Sequence, residues 1–255
     1  YQPLPLRMWG HRDIRDSLPT GRPRAVASLI VEHCDGSRRT VVTGPGWKVA
    51  GGPLVRNNVY LGEEYDARRA LRGWDRPGFD DAAWAPARVT GHALEPLLPR
   101  VTPPVGAGTP LPAVAGSSPR PGVHLVDFGR NFTGVPELEL ELPAGTRVRM
   151  RYGEPLDDEG RLNPMTSVCG QIKGTRTGPD GREVSIGGPG APPVAWQQDV
   201  YTAAGGGPEV YRPAFSFHGF RYLELSGLPE APDLAQVRGI PLHSDVEPVG
   251  EFVCS

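Results

Sequence analysis

Strict alternation of apolar and charged residues marks the middle of the chain. Residues 137–142 alternate glutamate with leucine, and residues 147–152 alternate arginine with valine, methionine and tyrosine. A period of two is typical of strands with one buried face, so two β-strands are predicted. The intervening Pro143, Ala144 and Gly145 fit a three-residue hairpin loop with a left-handed glycine. This hairpin would set each acid opposite a base, in three pairs: Glu141 and Arg147, Glu139 and Arg149, and Glu137 and Arg151.

Shorter alternating runs, separated by glycine and proline, occur along most of the chain. They predict a hairpin of strands 25–32 and 37–43 about the Asp35-Gly36 turn, and closing strands over 210–217, 220–225 and 234–242. A second hairpin is predicted about residues 177–181, inside the irregular stretch 163–193. No helical period of more than about two turns follows Gly62, apart from a turn predicted at 66–71. The fold class is therefore predicted to be all-β, of the sandwich type.

A proline-rich stretch divides the chain into two parts. Residues 99–122 contain seven prolines and almost no periodicity. This composition predicts either a linker or a long ordered excursion between two β units.

Charge and cysteine content exclude several function classes. The formal net charge is −2 and no block of like charge occurs, so neither a nucleic-acid nor a membrane partner is expected. Cys34, Cys169 and Cys254 form no C-x-x-C pair, which argues against a disulfide framework or a zinc site. The chain begins at Tyr1 without the layout of a signal peptide. It is therefore expected to derive from a longer polypeptide, and its compartment stays undetermined.

The stretch from Asn57 to Arg69 combines acids, arginines, asparagines and tyrosines. Three hypotheses apply to it: a catalytic site, a sugar or metal site, or a charged corner that holds a β-fold together. Neighbouring residues of a strand point to opposite faces, so Glu63 and Glu64 cannot both line one cleft, and no catalytic residue is assigned. Polar groups beside aromatic rings suit sugars, and the candidate carbohydrate-binding residues are Asn57, Asn58, Glu63, Arg68 and Trp74. Asn57 and Asn58 are also candidate oxygen ligands for calcium, although no cofactor is required.

Several aromatic and histidine residues have a simpler interpretation. Trp47, Trp84 and Tyr65 lie near the same stretch and fit either a sugar-binding surface or the core, and core packing is favoured for each. His218 stands among phenylalanines in a predicted strand. A histidine in that setting is more often a satisfied structural group than a ligand, so it is interpreted as structural.

Seven segments resemble, in order and spacing, the N-terminal part of bacterial α-L-rhamnosidases: residues 46–58, 60–68, 73–84, 126–134, 152–162, 215–225 and 249–255. The resemblance implies two β-sandwiches joined by a Pro/Gly-rich connection over 94–122. The first, over 1–93, would be an incomplete jelly-roll-like domain, and the second, over 123–245, a concanavalin-like domain. Residues 246–255 would begin the segment that leads into an (α/α)6 catalytic barrel. The structural residues implied within these motifs are Asp66, Asp127, Asn131, His218 and Arg221.

The resemblance also implies a function. The family removes terminal α-L-rhamnose by inverting hydrolysis on the barrel, which is expected to lie outside this chain, so the chain is expected to brace the catalytic domain and to be inactive alone. The alternative is a module that binds L-rhamnose or rhamnose-containing glycans, with calcium held near Asn57 and Asn58. A buried ion pair of Arg68 with Asp66 or Glu63 would hold the corner, and breaking it would cost about 3–5 kcal/mol.

Overall fold

The computed structural model describes residues 24–58, 61–91, 98–168, 174–177, 181–186, 195–247 and 249–254. These residues form strands and three short 3-10 helices, and no α-helix occurs among them. The 3-10 helices are η1 (Ala67–Arg69), η2 (Pro164–Ser167) and η3 (Leu234–Gln236). In this part of the chain no helix is long and apolar enough to cross a membrane. The prediction of an all-β fold is confirmed.

Six strands are described before residue 92: β1 (Ser28–Glu32), β2 (Arg38–Val42), β3 (Lys48–Val49), β4 (Leu54–Asn58), β5 (Gly62–Asp66) and β6 (Ala85–Pro86). β1 and β2 form the predicted antiparallel hairpin, with Glu32 opposite Arg38. Its turn contains Gly36 at φ +80°, which favours glycine. β3 pairs with β6, and β4 pairs with β5. The turn predicted at 66–71 is η1, which Asp66 caps by accepting a hydrogen bond from the Arg68 amide.

Eleven further strands are described after residue 98: β7 (Val105–Ala107), β8 (Leu111–Pro112), β9 (Ala115–Arg120), β10 (Val123–Leu140), β11 (Arg147–Gly153), β12 (Gly174–Thr177), β13 (Glu183–Ile186), β14 (Asp199–Thr202), β15 (Glu209–Tyr211), β16 (His218–Ser226) and β17 (Val237–Ser244). β12 and β13 form the second predicted hairpin, with Thr177 opposite Glu183. β7, β8 and β9 occupy the proline-rich stretch and pair with β17 or β10. That stretch is therefore an ordered excursion along the sheet edge.

The main sheet runs in the order β4-β5-β14-β11-β16-β10-β17-β7. β10 belongs to two groups of strands. Its first part lies between β9 and β16, and its second part lies between β17 and β15. The register shifts between Asp127 and Phe132, and Gly129 there has φ +75°. A bulge of this kind lets a strand turn a corner, so β10 carries the chain from one layer of strands to the other.

The predicted hairpin of residues 137–152 is wrong, although both of its strands exist. β11 pairs with β14 and β16 rather than with β10. The loop between them is bonded to another strand end, because Gly145 donates to the Ala203 carbonyl and Ala203 donates to the Thr146 carbonyl. The alternation of apolar and charged residues predicted correctly which face of each strand is buried. It does not determine which strand lies beside it. Glu137 and Glu139 therefore meet Arg238 at 3.2 and 2.5 Å, instead of the arginines of β11.

One hydrophobic core fills the space between the layers. The alternating residues of β11 that were predicted to be buried, Val148, Met150 and Tyr152, have no exposed surface. They pack in one cluster with Leu138 of β10 and Leu223 of β16. The predicted strand 210–217 ends at Tyr211, because residues after it form a loop whose amides bond to a buried carboxylate.

The chain before residue 92 buries much less. Within residues 24–58 and 61–91, only Gly62 and Glu63 are buried. β5 nevertheless joins the main sheet, since it pairs in parallel with β14 and places Tyr65 beside Tyr201. This pairing is the point at which the N-terminal strands meet the core.

Candidate functional site

The β4–β5 hairpin holds most of the residues that the sequence singled out. Its register sets Asn57 opposite Glu63 and Asn58 opposite Gly62. Paired residues share a face and successive residues alternate, so Asn57 lies on the same side as Glu63, and Asn58 lies on the other. The two asparagine side chains therefore do not converge on one point, as a shared calcium ion would require.

Glu63 lies inside the molecule, with 1% of its surface exposed. Its carboxylate accepts three hydrogen bonds: from the Tyr211 hydroxyl at 3.0 Å, and from the amides of Ala214 and Phe215 at 3.1 and 3.0 Å. A sugar hydroxyl would have to displace one of these donors to reach it. The carboxylate thus fastens β5 to the loop between β15 and β16.

Asp199, on β14, is the second buried carboxylate and is fully enclosed. One of its oxygens accepts from the Glu63 amide at 2.6 Å and the Ser216 hydroxyl at 3.1 Å. The other accepts from the Tyr152 hydroxyl at 2.5 Å and from Nε2 of His218 at 2.9 Å. Four donors satisfy this charge, which is what an enclosed carboxylate requires.

These side chains form one connected group, which we call the buried polar cluster: Glu63, Tyr152, Asp199, Tyr211, Ser216 and His218. It joins five separate segments of the chain, because its members lie on β5, β11, β14, β15 and the start of β16 with the residues just before it. His218 stacks on Tyr152 with 3.9 Å between ring centroids, and its Nδ1 lies 3.3 Å from the Gln197 side chain. His218 is thus enclosed by protein partners, and its structural role stays a prediction.

Burial dominates the electrostatics of the cluster. It raises the pKa of Glu63, an effect that the Phe215 amide, the Tyr211 hydroxyl and the Ala214 amide partly offset. Burial, reinforced by the nearby carboxylates, raises the pKa of Tyr152 and Tyr211 well above the usual tyrosine value. Both phenols therefore stay protonated and keep donating to the carboxylates. The cluster is a closed structural network, with no side chain open to a substrate.

The charged corner has a different geometry from the one expected. The Asp66 carboxylate accepts hydrogen bonds from Nε and Nη2 of Arg68, at 2.9 and 2.8 Å. The pair lies near the surface, since more than half of the Arg68 side chain is exposed. Its guanidinium lowers the pKa of Asp66, mainly through the hydrogen bond. Glu63 and Arg68 do not pair, because the Glu63 carboxylate is directed to Tyr211 and the amides that follow it.

The aromatic candidates separate into surface and core. Trp74 is 62% exposed, and no hydrogen bond or ring contact among the described residues joins its side chain to β4 or β5. Trp47 is half exposed and donates its indole N–H to the Val42 carbonyl, whereas Trp84 meets Phe79 edge-on. Tyr65 packs against both Tyr201 and Tyr211, which stack on each other. The predicted carbohydrate-binding residues are thus distributed over several environments.

The other residues of the motifs also make structural contacts. Arg221 donates two hydrogen bonds to Asp127, both at 2.8 Å, and Asp127 also accepts from the Gly129 amide. This pair holds the bulge of β10 against β16. The Asn131 side-chain amide donates to Glu154 at 3.0 Å. Among the described residues, no group of three or more His, Cys, Asp or Glu side chains could hold a metal ion.

Sequence reasoning missed most of the buried polar cluster. Asp199, Tyr152, Tyr211 and Ser216 were not singled out. Tyr152 was predicted to face the core, which implies a partner for its hydroxyl. Asp199 begins the short stretch Asp-Val-Tyr-Thr, and an acid at the start of residues that favour a strand is the one signal that could have indicated it.

The fold and this network define an all-β chain with a sandwich of the concanavalin-like kind. The bacterial α-L-rhamnosidase concanavalin-like domain matches residues 117–243, and the α-L-rhamnosidase N-terminal domain matches residues 7–108. The chain belongs to the bacterial α-L-rhamnosidase family. The predicted domain limits, 1–93 and 123–245, stay predictions.

Individual relatives agree with this assignment. An α-L-rhamnosidase of Streptomyces avermitilis is 35% identical over 232 residues, which are 91% of this chain and 20% of the relative. Its structure, solved in complex with L-rhamnose, has a TM-score of 0.72 at 35% identity and covers 86% of this chain and 19% of that one. An α-L-rhamnosidase structure from Dictyoglumus thermophilum has a TM-score of 0.73 at 32% identity. The match covers 89% of this chain and 23% of that one. The chain thus spans about a fifth of the length of the relatives it matches.

Proposed function

We propose that this chain is a non-catalytic β region of an α-L-rhamnosidase and that it braces the catalytic domain. The observation that carries the proposal is the buried polar cluster, whose two carboxylates are sealed by protein donors. Carboxylates that perform glycoside hydrolysis need access to the sugar on both sides of the scissile bond. Glu63 and Asp199 lack such access and fix the strands to each other, as a rigid support requires.

A chimera tests the bracing role. The matched region of the Streptomyces avermitilis relative is replaced by this chain, and a second form of the relative lacks that region altogether. We expect the chimera to hydrolyse p-nitrophenyl α-L-rhamnoside and to melt at a higher temperature than the shortened form. Equal activity and equal Tm for the shortened form and the complete relative would refute the bracing role. The isolated chain is expected to give no turnover, and turnover would refute its non-catalytic assignment.

A second candidate function is the binding of L-rhamnose near the β4–β5 hairpin. One observation favours it: the side-chain nitrogen of Asn57 is buried and finds no hydrogen-bond acceptor in the part of the chain that the structure describes. An unpaired buried donor is costly, so a ligand acceptor there would be favourable. Trp74 adds an exposed ring in the same part of the sequence. Calcium would gain at most one of the two asparagine side chains as a ligand, so we propose sugar binding that does not require the ion.

Calorimetric titration with L-rhamnose, with and without calcium, tests this candidate. We expect binding with Kd below about 10 mM, equivalent to roughly 3 kcal/mol, and the same value in both buffers. Asn57→Ala should weaken it, whereas Asn131→Ala, which removes a side-chain amide on β10, should leave it unchanged. Absence of heat with wild-type protein would refute sugar binding by this region.

A further inference from the structure

A row of arginines occupies the outer face of β11. Val148, Met150 and Tyr152 of this strand are in the core, so Arg147, Arg149 and Arg151 point away from it. Residues two apart on a strand lie about 7 Å from each other on the same face. The three guanidinium groups, which we call the arginine row, therefore form a line about 14 Å long on the sheet surface.

The two ends of the row are neutralised and its centre is not. Arg147 donates to Glu64 at 2.7 Å, and Arg151 lies 3.6 Å from Glu224. Arg149 is exposed and has no ion-pair or hydrogen-bond partner among the described side chains. Its neighbours on the adjacent strands are Val200 and Ser226, which carry no charge. A guanidinium with five donors and no acceptor therefore stands at the centre of the face.

Other arginines add to the positive charge of this face. Arg56 shares Glu64 at 3.9 Å, and Arg120 shares Glu224 at 3.5 Å. Five arginines thus surround two glutamates, although the chain as a whole has a net charge of −2. Burial lowers the pKa of Arg151, Glu224 opposes this shift, and the positive charges of Arg120 and Arg149 add to it. The excess of positive charge is concentrated here and would attract an anion.

The surroundings of the row indicate what kind of anion fits. Trp196 lies against Arg151, with the guanidinium carbon 4.7 Å from the ring centroid. A ring beside bidentate donors suits a sugar that carries a carboxylate, because the sugar face packs on aromatic surface and the carboxylate takes two parallel N–H donors. The row follows one strand, so it matches an extended polymer better than a single small anion. Two of its cross-strand neighbours, Thr202 and Ser226, are polar and a third, Val200, is apolar, so this border is more polar than the centre of a protein interface.

We propose that the outer face of β11 binds the carboxylate groups of an acidic polysaccharide, with Arg149 as the central contact. This inference goes beyond the bracing role and does not depend on it, since it concerns binding by the isolated chain and requires no turnover. The ends of the row contribute as secondary contacts, because Glu64 and Glu224 already occupy part of their donors.

Affinity electrophoresis and calorimetry with polygalacturonate test the proposal. We expect binding in dilute buffer that weakens as salt is added, because exposed charges are screened over about 10 Å at 0.1 M salt. Polygalacturonate whose carboxylates are fully methyl-esterified has the same backbone without the charge and should not bind. Equal binding of the esterified polymer, or no binding of the acidic one, would overturn the proposal.

Two variants locate the site. Arg149→Gln should weaken binding about 3- to 10-fold, the size expected for a charge-assisted hydrogen bond to a ligand. Arg38→Gln, on β2, removes an equally positive exposed side chain and should leave the affinity unchanged, which separates a site from general charge attraction. Equal losses in the two variants would overturn the assignment to β11. If the acidic polymer fails but the catalytic part of the Streptomyces avermitilis relative binds in an Arg149-dependent manner, the face is a protein contact and the glycan assignment is wrong.

Discussion

The two regions of the molecule differ in how their strands are held. In residues 24–91, the described side chains are exposed or half-buried apart from Glu63, and short pairs such as β1–β2 and β3–β6 stand outside the main sheet. In residues 123–244, strands β10, β11 and β16 each contribute several buried residues to one core. Similar local patterning therefore produced strands in both regions but a core in only one.

The difference shows which contacts hold the first region to the second. A two-stranded hairpin is marginal in water, and the described part of residues 24–91 has no buried hydrophobic side chain. β5 is the exception, because it pairs with β14 and places Glu63 among the side chains of the second region. The N-terminal strands thus depend on hydrogen bonds, one parallel pairing and the packing of Tyr65 and Ala67 on the core, whereas the second region depends on hydrophobic burial.

The largest expected effect follows from removing Asp199. Asp199→Ala leaves the hydroxyls of Tyr152 and Ser216, a nitrogen of His218 and the Glu63 amide without an acceptor in the interior. We expect the free energy of unfolding to fall by about 3–5 kcal/mol, measured by urea denaturation. Asp158→Ala, at an exposed acid, should change it by less than about 0.5 kcal/mol. Similar losses in both variants would show that the buried polar cluster does not hold the two regions together.

A smaller effect is expected at Gly62, where β5 begins beside the start of β14. Gly62 has φ +81°, and a Cβ there would lie 2.3 Å from the Gln198 carbonyl oxygen and 2.6 Å from an oxygen of Asp199. Gly62→Ala should therefore destabilise the protein by about 3 kcal/mol, through backbone strain and steric overlap. Gly73 has the same φ of +81° but nothing within 4 Å of its Cβ position, so Gly73→Ala should cost about 1 kcal/mol. Chemical denaturation gives the loss of stability in each variant, and the difference between the two losses measures the steric overlap at Gly62. Equal losses would contradict the close approach of Gly62 to Gln198 and Asp199.

The sequence predicted single strands and buried faces well, because these depend on local periodicity. The hairpins at Asp35-Gly36 and at residues 177–181 depend only on a turn and its flanks, and both were found. The pairing of β10 with β11 failed because strand neighbours depend on distant segments. β16 lies between them, and it follows β11 by more than sixty residues.

The site was harder to predict than the fold. Glu63 and His218 were both noticed, but nothing local shows that they are linked through Asp199, which lies 136 residues from Glu63. The sequence analysis offered Arg68, five residues away, as an ion-pair partner for Glu63. The partners of its carboxylate are instead the Tyr211 hydroxyl and the amides of Ala214 and Phe215. Polar networks that form between distant strands leave no periodic signal, so they cannot be read from spacing.

The pH dependence of stability tests the buried environment of Glu63, which lies where β5 meets the second region. The folded-state pKa of Glu63 is raised above 4.5 by burial, so folding favours the protonated form. The resulting stabilisation is complete below the unfolded pKa and is lost as the pH rises through the folded pKa. The unfolding free energy of wild type minus that of Glu63→Gln should therefore decrease as the pH rises from about 4 to 7. Urea denaturation at several pH values measures it. As a control, the unfolding free energy of wild type minus that of Glu251→Gln, at an exposed acid, should not change with pH in this way. A difference for Glu63→Gln that did not change with pH would contradict the raised pKa of Glu63.

The smallest expected effect tests the exposed region directly. Ile30 lies on β1 with 60% of its surface exposed, so Ile30→Ala should change the free energy of unfolding by less than about 0.5 kcal/mol. Leu138→Ala, at a leucine of β10 with no exposed surface, should cost about 3 kcal/mol by the same denaturation measurement, because it leaves a cavity in the core. A cost above about 1.5 kcal/mol for Ile30→Ala, as for a buried side chain, would mean that β1 is covered in solution. The two regions would then differ in the partner that covers them, and not in how much apolar surface they bury.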